Sequence, residues 1–283
     1  MASNRILVTG ASGNIGSELV KQLTARKADF AVMRSQPGAD DKGVLTVHGD
    51  FADPASLARA FNGFDTLFLL LPLVPHKVEL AKNAVAAAKA AGIRRIVRSS
   101  GLGADADSAV SLSRLQGAID ALVQGSGIAC TLLRPAGFMQ NWINFSAAQL
   151  KAGTFYAPHG RGAQSVVDVR DIAEAAAAVL LDPAAHAGRA YELTGALALT
   201  DQQMLDLIGS AAGHPIAYVD VPETAAREAM AGMPAVMVDW FMSLNHVIKQ
   251  GWAAGVSGDV QRLTGHAPRS FADFARENAA AWR

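Results

Sequence analysis

The chain has 283 residues, 51% of them hydrophobic and 18% charged, which excludes intrinsic disorder, a state that pairs low hydrophobicity with high net charge. Lys plus Arg and Asp plus Glu each count 25, so no net field gathers phosphate backbones and nucleic-acid binding is not expected. The single cysteine, Cys130, excludes an internal disulfide and a cysteine-based zinc site. Arg5–Thr9 is a short β-rich run, and Ile15–Thr24 carries helical spacing at Ile15, Leu19, Val20 and Leu23. Phe30–Met33 and Leu45–Val47 read as the second and third strands. Asp53 then caps a helix whose first position holds Pro54. Thr66–Leu71 is apolar throughout, as in a strand buried on both faces. Lys77–Ala91 is an alanine-rich helix stopped by Gly92, and Arg95–Ser99 and Ile128–Leu133 are further strands. Strands alternating with helices predict βαβ units on a parallel sheet.

After Pro135 the alternation weakens. Gly137–Gly162 is rich in aromatics and glycines, and Ser165–Asp168 predicts another strand. A helix is expected over Asp171–Leu181, with Asp171 and Glu174 at capping-box spacing. Tyr191–Leu193 is one more strand, and from Thr200 onward the pattern is helical, with starts at Thr200, near Glu223 and at Ser270. At about 150 residues per domain the length predicts roughly two domains. Met1–Arg5 runs straight into the first strand with no leader-like segment, and the apolar run Thr66–Val74 is too short for a membrane span and holds Pro72. The expectation is a soluble, cytoplasmic protein.

The first βα turn reads Gly10-Ala11-Ser12-Gly13-Asn14-Ile15-Gly16. In that context each glycine has its own physical role. Gly10 permits the tight turn, Gly13 lets backbone N–H groups approach a pyrophosphate, and Gly16 lets the helix pack on the strand. The helix N-terminus then faces the negative charge with free donors. Ser12, Asn14 and Ile15 complete the cradle. An acidic residue at the end of the second strand would favour NAD; the chain has Met33-Arg34-Ser35 there. Arg34 is suited to pair a 2′-phosphate and stack on adenine, so NADPH is expected over NADH. In His48-Gly49-Asp50-Phe51, Asp50 either bonds the adenine amino group, with Phe51 beside it, or caps the next helix. Leu70, Leu71 and Pro72 end the fourth strand, where they line the ribose and nicotinamide.

These segments, together with Ala87–Gly92, Ser126–Asn141 and Ser165–Ala173, resemble the short-chain dehydrogenase/reductase superfamily, and within it the atypical NmrA-like branch. That branch includes reductases of quinones, azo compounds and triarylmethane dyes as well as NADP-sensing regulators. The resemblance implies an α/β fold, a Rossmann doubly wound parallel sheet with a smaller, mostly helical C-terminal lobe and a substrate cleft between them. Residues 1–135 plus about 164–193 would bind the dinucleotide, and about 136–163 plus 194–283 the substrate.

The chain departs from the superfamily at the acid. Most members use a Tyr-x-x-x-Lys pair, but Tyr156, Tyr191 and Tyr218 have no lysine four residues on. The helix that would carry the pair lies near Ser111–Gln124 and has Gln116 where relatives often have histidine. Ser99 and Ser100 match the usual serine position. Ser100 and Gln116 are therefore the catalytic candidates, and neither is a strong proton donor. Such a site favours conjugated, electron-poor acceptors whose reduced forms are weakly basic, with the nicotinamide supplying the chemistry. Phe138, Met139, Asn141 and Trp142, and the set Met237, Trp240, Phe241 and Met242, either line a pocket for a small aromatic substrate or form a hydrophobic core. Two other readings stand beside a reductase of conjugated acceptors: an NADP(H)-sensing regulator without turnover, and a ketone or imine reductase drawing its proton from His159, His246 or water. Cys130 reads as an inert core thiol, Arg134 as a brace, and no histidine spacing suggests a metal. A neutral, apolar-rich chain is also compatible with a homodimer.

Overall fold

The computed structural model describes residues 4–36 and 43–283, and the chain clusters into two compact units. The first comprises Met1–Ala109, Ser113–Arg134 and Ile172–Tyr191; the second comprises Val110–Leu112, Pro135–Asp171 and Glu192–Arg283. Residues 164–171 thus cluster with the second unit.

The first unit alternates β1 (Ile6–Val8), α1 (Asn14–Ala25), β2 (Phe30–Arg34), β3 (Leu45–His48), α2 (Pro54–Ala60), β4 (Thr66–Leu69), α3 (Lys77–Ala90), β5 (Arg95–Ser99), α4 (Ser111–Gln124) and β6 (Ala129–Pro135). The strands belong to a seven-stranded sheet of order β3-β2-β1-β4-β5-β6-β9, where β9 is Ala190–Leu193. From β3 to β6 every neighbouring pair is parallel. The chain runs outward from β1 to β3, then returns to β4 on the other side of β1. Strand order therefore reverses between β1 and β4, the position where open α/β sheets bind ligands.

Both faces of this sheet are covered, so β4 is buried at all four positions, three of them apolar, while the Thr66 hydroxyl donates to Asn4 Oδ1 at 2.7 Å. Ala81, Ala84 and Ala88 of α3 are fully buried in the core with Leu67, Leu69 and Ile96, because small side chains let a helix lie close to a sheet. Asp53 accepts the Ala55 N–H at 2.9 Å, so α2 begins where the Asp-Pro pair places it.

The second unit holds α5 (Asn141–Asn144), α6 (Ala147–Lys151), β7 (Thr154–Ala157), β8 (Ala163–Gln164) and the start of α7 (Val169–Leu181). It continues with β10 (Leu199–Thr200), α8 (Asp201–Ala212), β11 (Ala217–Asp220), α9 (Glu223–Glu228), α10 (Ala235–Lys249), α11 (Asp259–Thr264) and α12 (Phe271–Glu277). Its core gathers Met139, Trp142, Leu205, Ile208, Phe274 and Trp282. The capping box of Thr200 and Gln203 starts α8.

Two local expectations are corrected. Ser165–Asp168 is not a strand: the Ser165 N–H goes to Ala253 O and the Val167 N–H to Gly137 O, leaving a single bridge to Phe138 instead of a ladder. Asp171 does not cap α7, which begins two residues earlier. Asp168 takes that place, accepting the Arg170 N–H at 2.8 Å, while Asp171 receives the Arg269 N–H at 2.7 Å.

Candidate functional site: the carboxyl edge of the sheet

β1 leads into a turn that only glycine can make. Gly10 sits at φ +69°, and a Cβ there would lie 2.9 Å from Leu70 Cδ2. A Cβ on Gly16 would lie 2.1 Å from the Gly10 carbonyl oxygen, so α1 lies against the turn with no room for a side chain. At Gly13, by contrast, the sole neighbour of such a Cβ is Gly10 O at 3.4 Å, and Ser12, Gly13 and Asn14 are exposed. Gly13 is the N-cap of α1, no side chain caps it and the first turn holds no acid. The result is a helix N-terminus whose leading amides face open space beside a glycine, a donor set suited to a pyrophosphate.

The neighbouring strands bring the other residues to the same edge. Arg34 ends β2, and its carbonyl accepts the Gly49 N–H at 2.9 Å, so β2 and the Gly49-Asp50 turn are tied together. Beyond β4, Leu70 packs over Gly10, while Thr9 Oγ1 accepts the Leu70 N–H at 2.9 Å and holds that segment in place. β5 ends at Ser99, and Ser100 donates its N–H to Leu133 O at 2.7 Å. The Ser100 hydroxyl is buried and has no hydrogen-bond partner among the described residues.

Gln116 joins this edge through charged residues that the sequence pattern did not single out. Its Oε1 accepts from Arg98 Nη2 at 2.9 Å and lies 3.4 Å from Lys77 Nζ, while its backbone carbonyl accepts from Arg98 Nη2 at 3.2 Å. Arg98 Nε faces Asp120 Oδ1 at 3.1 Å, both side chains almost wholly buried, and Arg134 Nη2 reaches Asp120 Oδ2 at 3.1 Å. Burial lowers the Arg98 guanidinium to about 10, against the attraction of Asp120, with Arg134 adding to the decrease. Burial, then the like charge of Arg98, lowers Lys77 to about 8, with Asp120 opposing. The available signal was a cation inside an apolar strand (Arg98) and a carboxylate on the apolar face of a helix (Asp120).

Other candidates lie elsewhere. Leu71 is buried in the core of the first unit, and only Leu70 and exposed Pro72 remain at the rim. Asp50 neither caps α2, which Asp53 does, nor is wholly unengaged: its Oδ1 accepts the Ala52 N–H at 2.9 Å. Phe51 packs partly on the core and its carbonyl accepts from Asn83 Nδ2 at 2.9 Å. Met139 and Trp142 lie buried in the second unit's core, where the Trp142 ring meets Phe155 tilted at 4.9 Å and Phe271 edge-on at 5.9 Å. Phe138 and Phe241 are half-buried. His159 is no free proton donor: Nδ1 lies 2.7 Å from Asp201 Oδ2 and Nε2 lies 3.0 Å from Asn245 Oδ1, so both nitrogens are engaged. His246 is exposed, with its ring against Trp252 at 5.5 Å. Burial, with the Asp120 charge, raises the Cys130 thiol and keeps it unreactive.

A doubly wound sheet that opens through a glycine turn onto an uncapped helix defines a dinucleotide-binding α/β protein. The NmrA-like family model matches residues 2–260. An NAD(P)H azoreductase of Xenophilus azovorans is 38% identical over 283 residues, covering 98% of this chain and 99% of that protein. A (4-alkanoyl-5-oxo-2,5-dihydrofuran-3-yl)methyl phosphate reductase of Streptomyces griseus is 32% identical, covering 98% of this chain and 99% of that protein. The structure of an NADPH-dependent quinone oxidoreductase from Escherichia coli, complexed with NADPH, superposes with a TM-score of 0.87 at 27% identity, covering 96% of this chain and 99% of that one. The chain belongs to the NmrA-like family. No helix among the described residues is long and apolar enough to cross a membrane.

Proposed function

We propose that this NAD(P)H-dependent oxidoreductase uses NADPH to reduce small conjugated, electron-poor acceptors of the quinone or azo type, without a Tyr-x-x-x-Lys pair. The Gly13–Ile15 amides at the head of α1 hold the pyrophosphate, between the turn glycines Gly10 and Gly16. Arg34 holds the 2′-phosphate and the adenine face. Leu70 and Pro72 border the ribose, and Ser99 and Ser100 the nicotinamide side. Bound NADPH supplies the hydride, and the chain orients the acceptor and excludes water.

The observation that carries the acceptor class is on α4. Ser111–Gln124 contains no tyrosine, lysine or histidine. The residue it ties to the carboxyl edge is Gln116, an amide that holds an oxygen but delivers no proton at neutral pH. An aliphatic ketone becomes a strongly basic alkoxide and needs a matched acid; a quinone becomes a phenolate-type anion that water protonates. The azoreductase and quinone oxidoreductase relatives support this reading. NADPH oxidation followed with a benzoquinone, an azo dye and an aliphatic ketone tests it. Turnover of the first two and none of the third is expected; rapid ketone reduction overturns it.

A further inference from the structure

The Gln116 amide is held by one end only. Two cation donors, Lys77 Nζ and Arg98 Nη2, point at Oε1, and turning the amide over would set an NH2 group against them, so the orientation is fixed by charge. Nε2 is then the free end. It donates no hydrogen bond to any of the described residues, and it lies next to the backbone of Gly101, 3.9 Å from where a Cβ of that residue would stand. Gly101 follows Ser100, whose buried hydroxyl is also without a partner among them. Two uncommitted polar groups therefore adjoin at the carboxyl end of β5.

The charges behind them are unbalanced. Lys77 is 5% exposed and Arg98 1%. Lys77 on α3 faces Arg98 on β5 and Asp120 on α4, and Arg98 in turn faces Arg134 on β6. Three cations share one carboxylate, Asp120. A buried cation is expensive to keep unless something repays its desolvation, and the Lys77 ammonium has no carboxylate at salt-bridge distance among the described residues; its one hydrogen-bond partner there is a neutral amide. Such an excess of positive charge is of use where negative charge develops.

We propose that Gln116 Nε2, polarised by Lys77 and Arg98, donates to the oxyanion of the reduced acceptor, and that Lys77 is a positioning residue that selects acceptors becoming anionic. This rests on the reductase reading above and names its substrate class more narrowly. A quinone receives a hydride, two electrons and one proton, from NADPH; NADP⁺ and the hydroquinone mono-anion form, and the second proton comes from water. The cluster stabilises that anion. A cationic triarylmethane dye receives the same hydride and becomes neutral, so the cluster gives it nothing and repels its ground state.

The test uses the NADP⁺-loaded protein and 4-nitrophenol, whose ionisation is visible by absorbance and which mimics the mono-anion. In the wild type the bound phenol should ionise about one pH unit or more below the free phenol. Lys77→Met and Gln116→Leu should each remove most of that shift; Lys77→Met takes away a buried cation that has no carboxylate at salt-bridge distance and keeps the side chain's size, so it retains the fold, whereas Gln116→Leu strands the Arg98 and Lys77 donors and costs stability, which makes Lys77→Met the deciding variant. In turnover, Lys77→Met should lower kcat for a neutral quinone about tenfold to a hundredfold, the worth of one hydrogen bond to a charged group, and leave a cationic dye unaffected or faster. The wild-type rate with quinone should fall as pH rises through Lys77's titration, and Lys77→Met should lack that limb. Equal phenol shifts in all three proteins, no phenol binding, or equal losses with quinone and cationic dye overturn the proposal while the reductase reading stands. Absence of NADPH consumption by the wild type with every acceptor overturns that reading as well.

Discussion

Two buried polar clusters, one in each unit, are built from similar parts and end differently. In the first unit, Lys77 and Arg98 hold Gln116 Oε1, Asp120 lies between Arg98 and Arg134, and Gln116 Nε2 is left uncommitted. In the second, His159 lies between Asp201 Oδ2 and Asn245 Oδ1, Gln164 Nε2 donates to Asp201 Oδ1 at 3.1 Å, and the Tyr218 hydroxyl accepts the His159 N–H at 3.1 Å. There each donor meets an acceptor, and the network closes on itself. A closed network fixes one packing arrangement and has nothing to offer a ligand; an open one, with surplus charge behind a free donor, is poorly explained by packing alone. The histidine that sequence alone offered as a proton donor belongs to the closed kind, and the glutamine that looked chemically weak belongs to the open kind.

The open cluster is most vulnerable at Asp120, the carboxylate common to Arg98 and Arg134. Asp120→Ala leaves Arg98 buried and unpaired and should cost about 3–5 kcal/mol of unfolding free energy by urea denaturation; a loss below about 1 kcal/mol would mean that the cluster is solvated. The closed network gives the next effect. His159→Leu strands the Asp201 and Asn245 oxygens and should cost about 2–3 kcal/mol. It also has a pH signature. Burial disfavours the His159 cation, but the Asp201 hydrogen bond and charge, the Asn245 hydrogen bond and Asp220 together raise its pKa above the ordinary value of 6.5. The stabilisation is therefore complete below that value and is lost as pH rises through the folded-state pKa. Wild-type stability should decline as pH rises through that folded-state pKa, and the His159→Leu curve should be flatter there.

Legibility from sequence followed the range of the interactions. The glycine turn was readable because much of its constraint is local: a Cβ on Gly16 would lie 2.1 Å from the carbonyl oxygen of Gly10, six residues earlier, and only the crowding of Gly10 by Leu70 comes from afar. The buried strands were readable because three of β4's four positions, Leu67, Phe68 and Leu69, are apolar. Lys77, Arg98 and Asp120 come from α3, β5 and α4, and only packing brings them together, so no spacing announced the cluster. Met139 and Trp142 read equally as pocket or core until the aromatic contacts with Phe155 and Phe271 placed them in the core. The start of α7 was misplaced for the same reason: Asp168 is held by Gln140 Nε2 at 3.0 Å, a partner 28 residues away.

The edge beside the open cluster gives a smaller effect. Arg34→Ala should weaken NADPH binding by about 1.5 kcal/mol, roughly tenfold in Kd, and leave NADH nearly unchanged, because only the former carries a 2′-phosphate for a guanidinium to hold. Quenching of the tryptophan fluorescence by each dinucleotide measures both constants. Equal weakening of the two would assign Arg34 to the adenine face instead of the phosphate.

The smallest effect separates open from closed at the level of one hydroxyl. Ser126 and Ser100 are both buried serines of the first unit. Ser126 Oγ donates to Val123 O at 2.6 Å and accepts the Ile128 N–H at 3.1 Å, whereas Ser100 Oγ has no partner among the described residues. Ser126→Ala deletes two satisfied bonds and should lower stability by about 1 kcal/mol with kcat unchanged. Ser100→Ala removes a buried hydroxyl that has no partner among the described residues, so stability should stay within about 0.5 kcal/mol of the wild type or rise, while turnover falls. Stability lost without activity in one variant, and activity lost without stability in the other, is what an open site beside a closed scaffold requires. If Ser100→Ala instead loses stability as Ser126→Ala does, its hydroxyl is bonded within the fold, and the carboxyl end of β5 retains Gln116 as its one uncommitted donor.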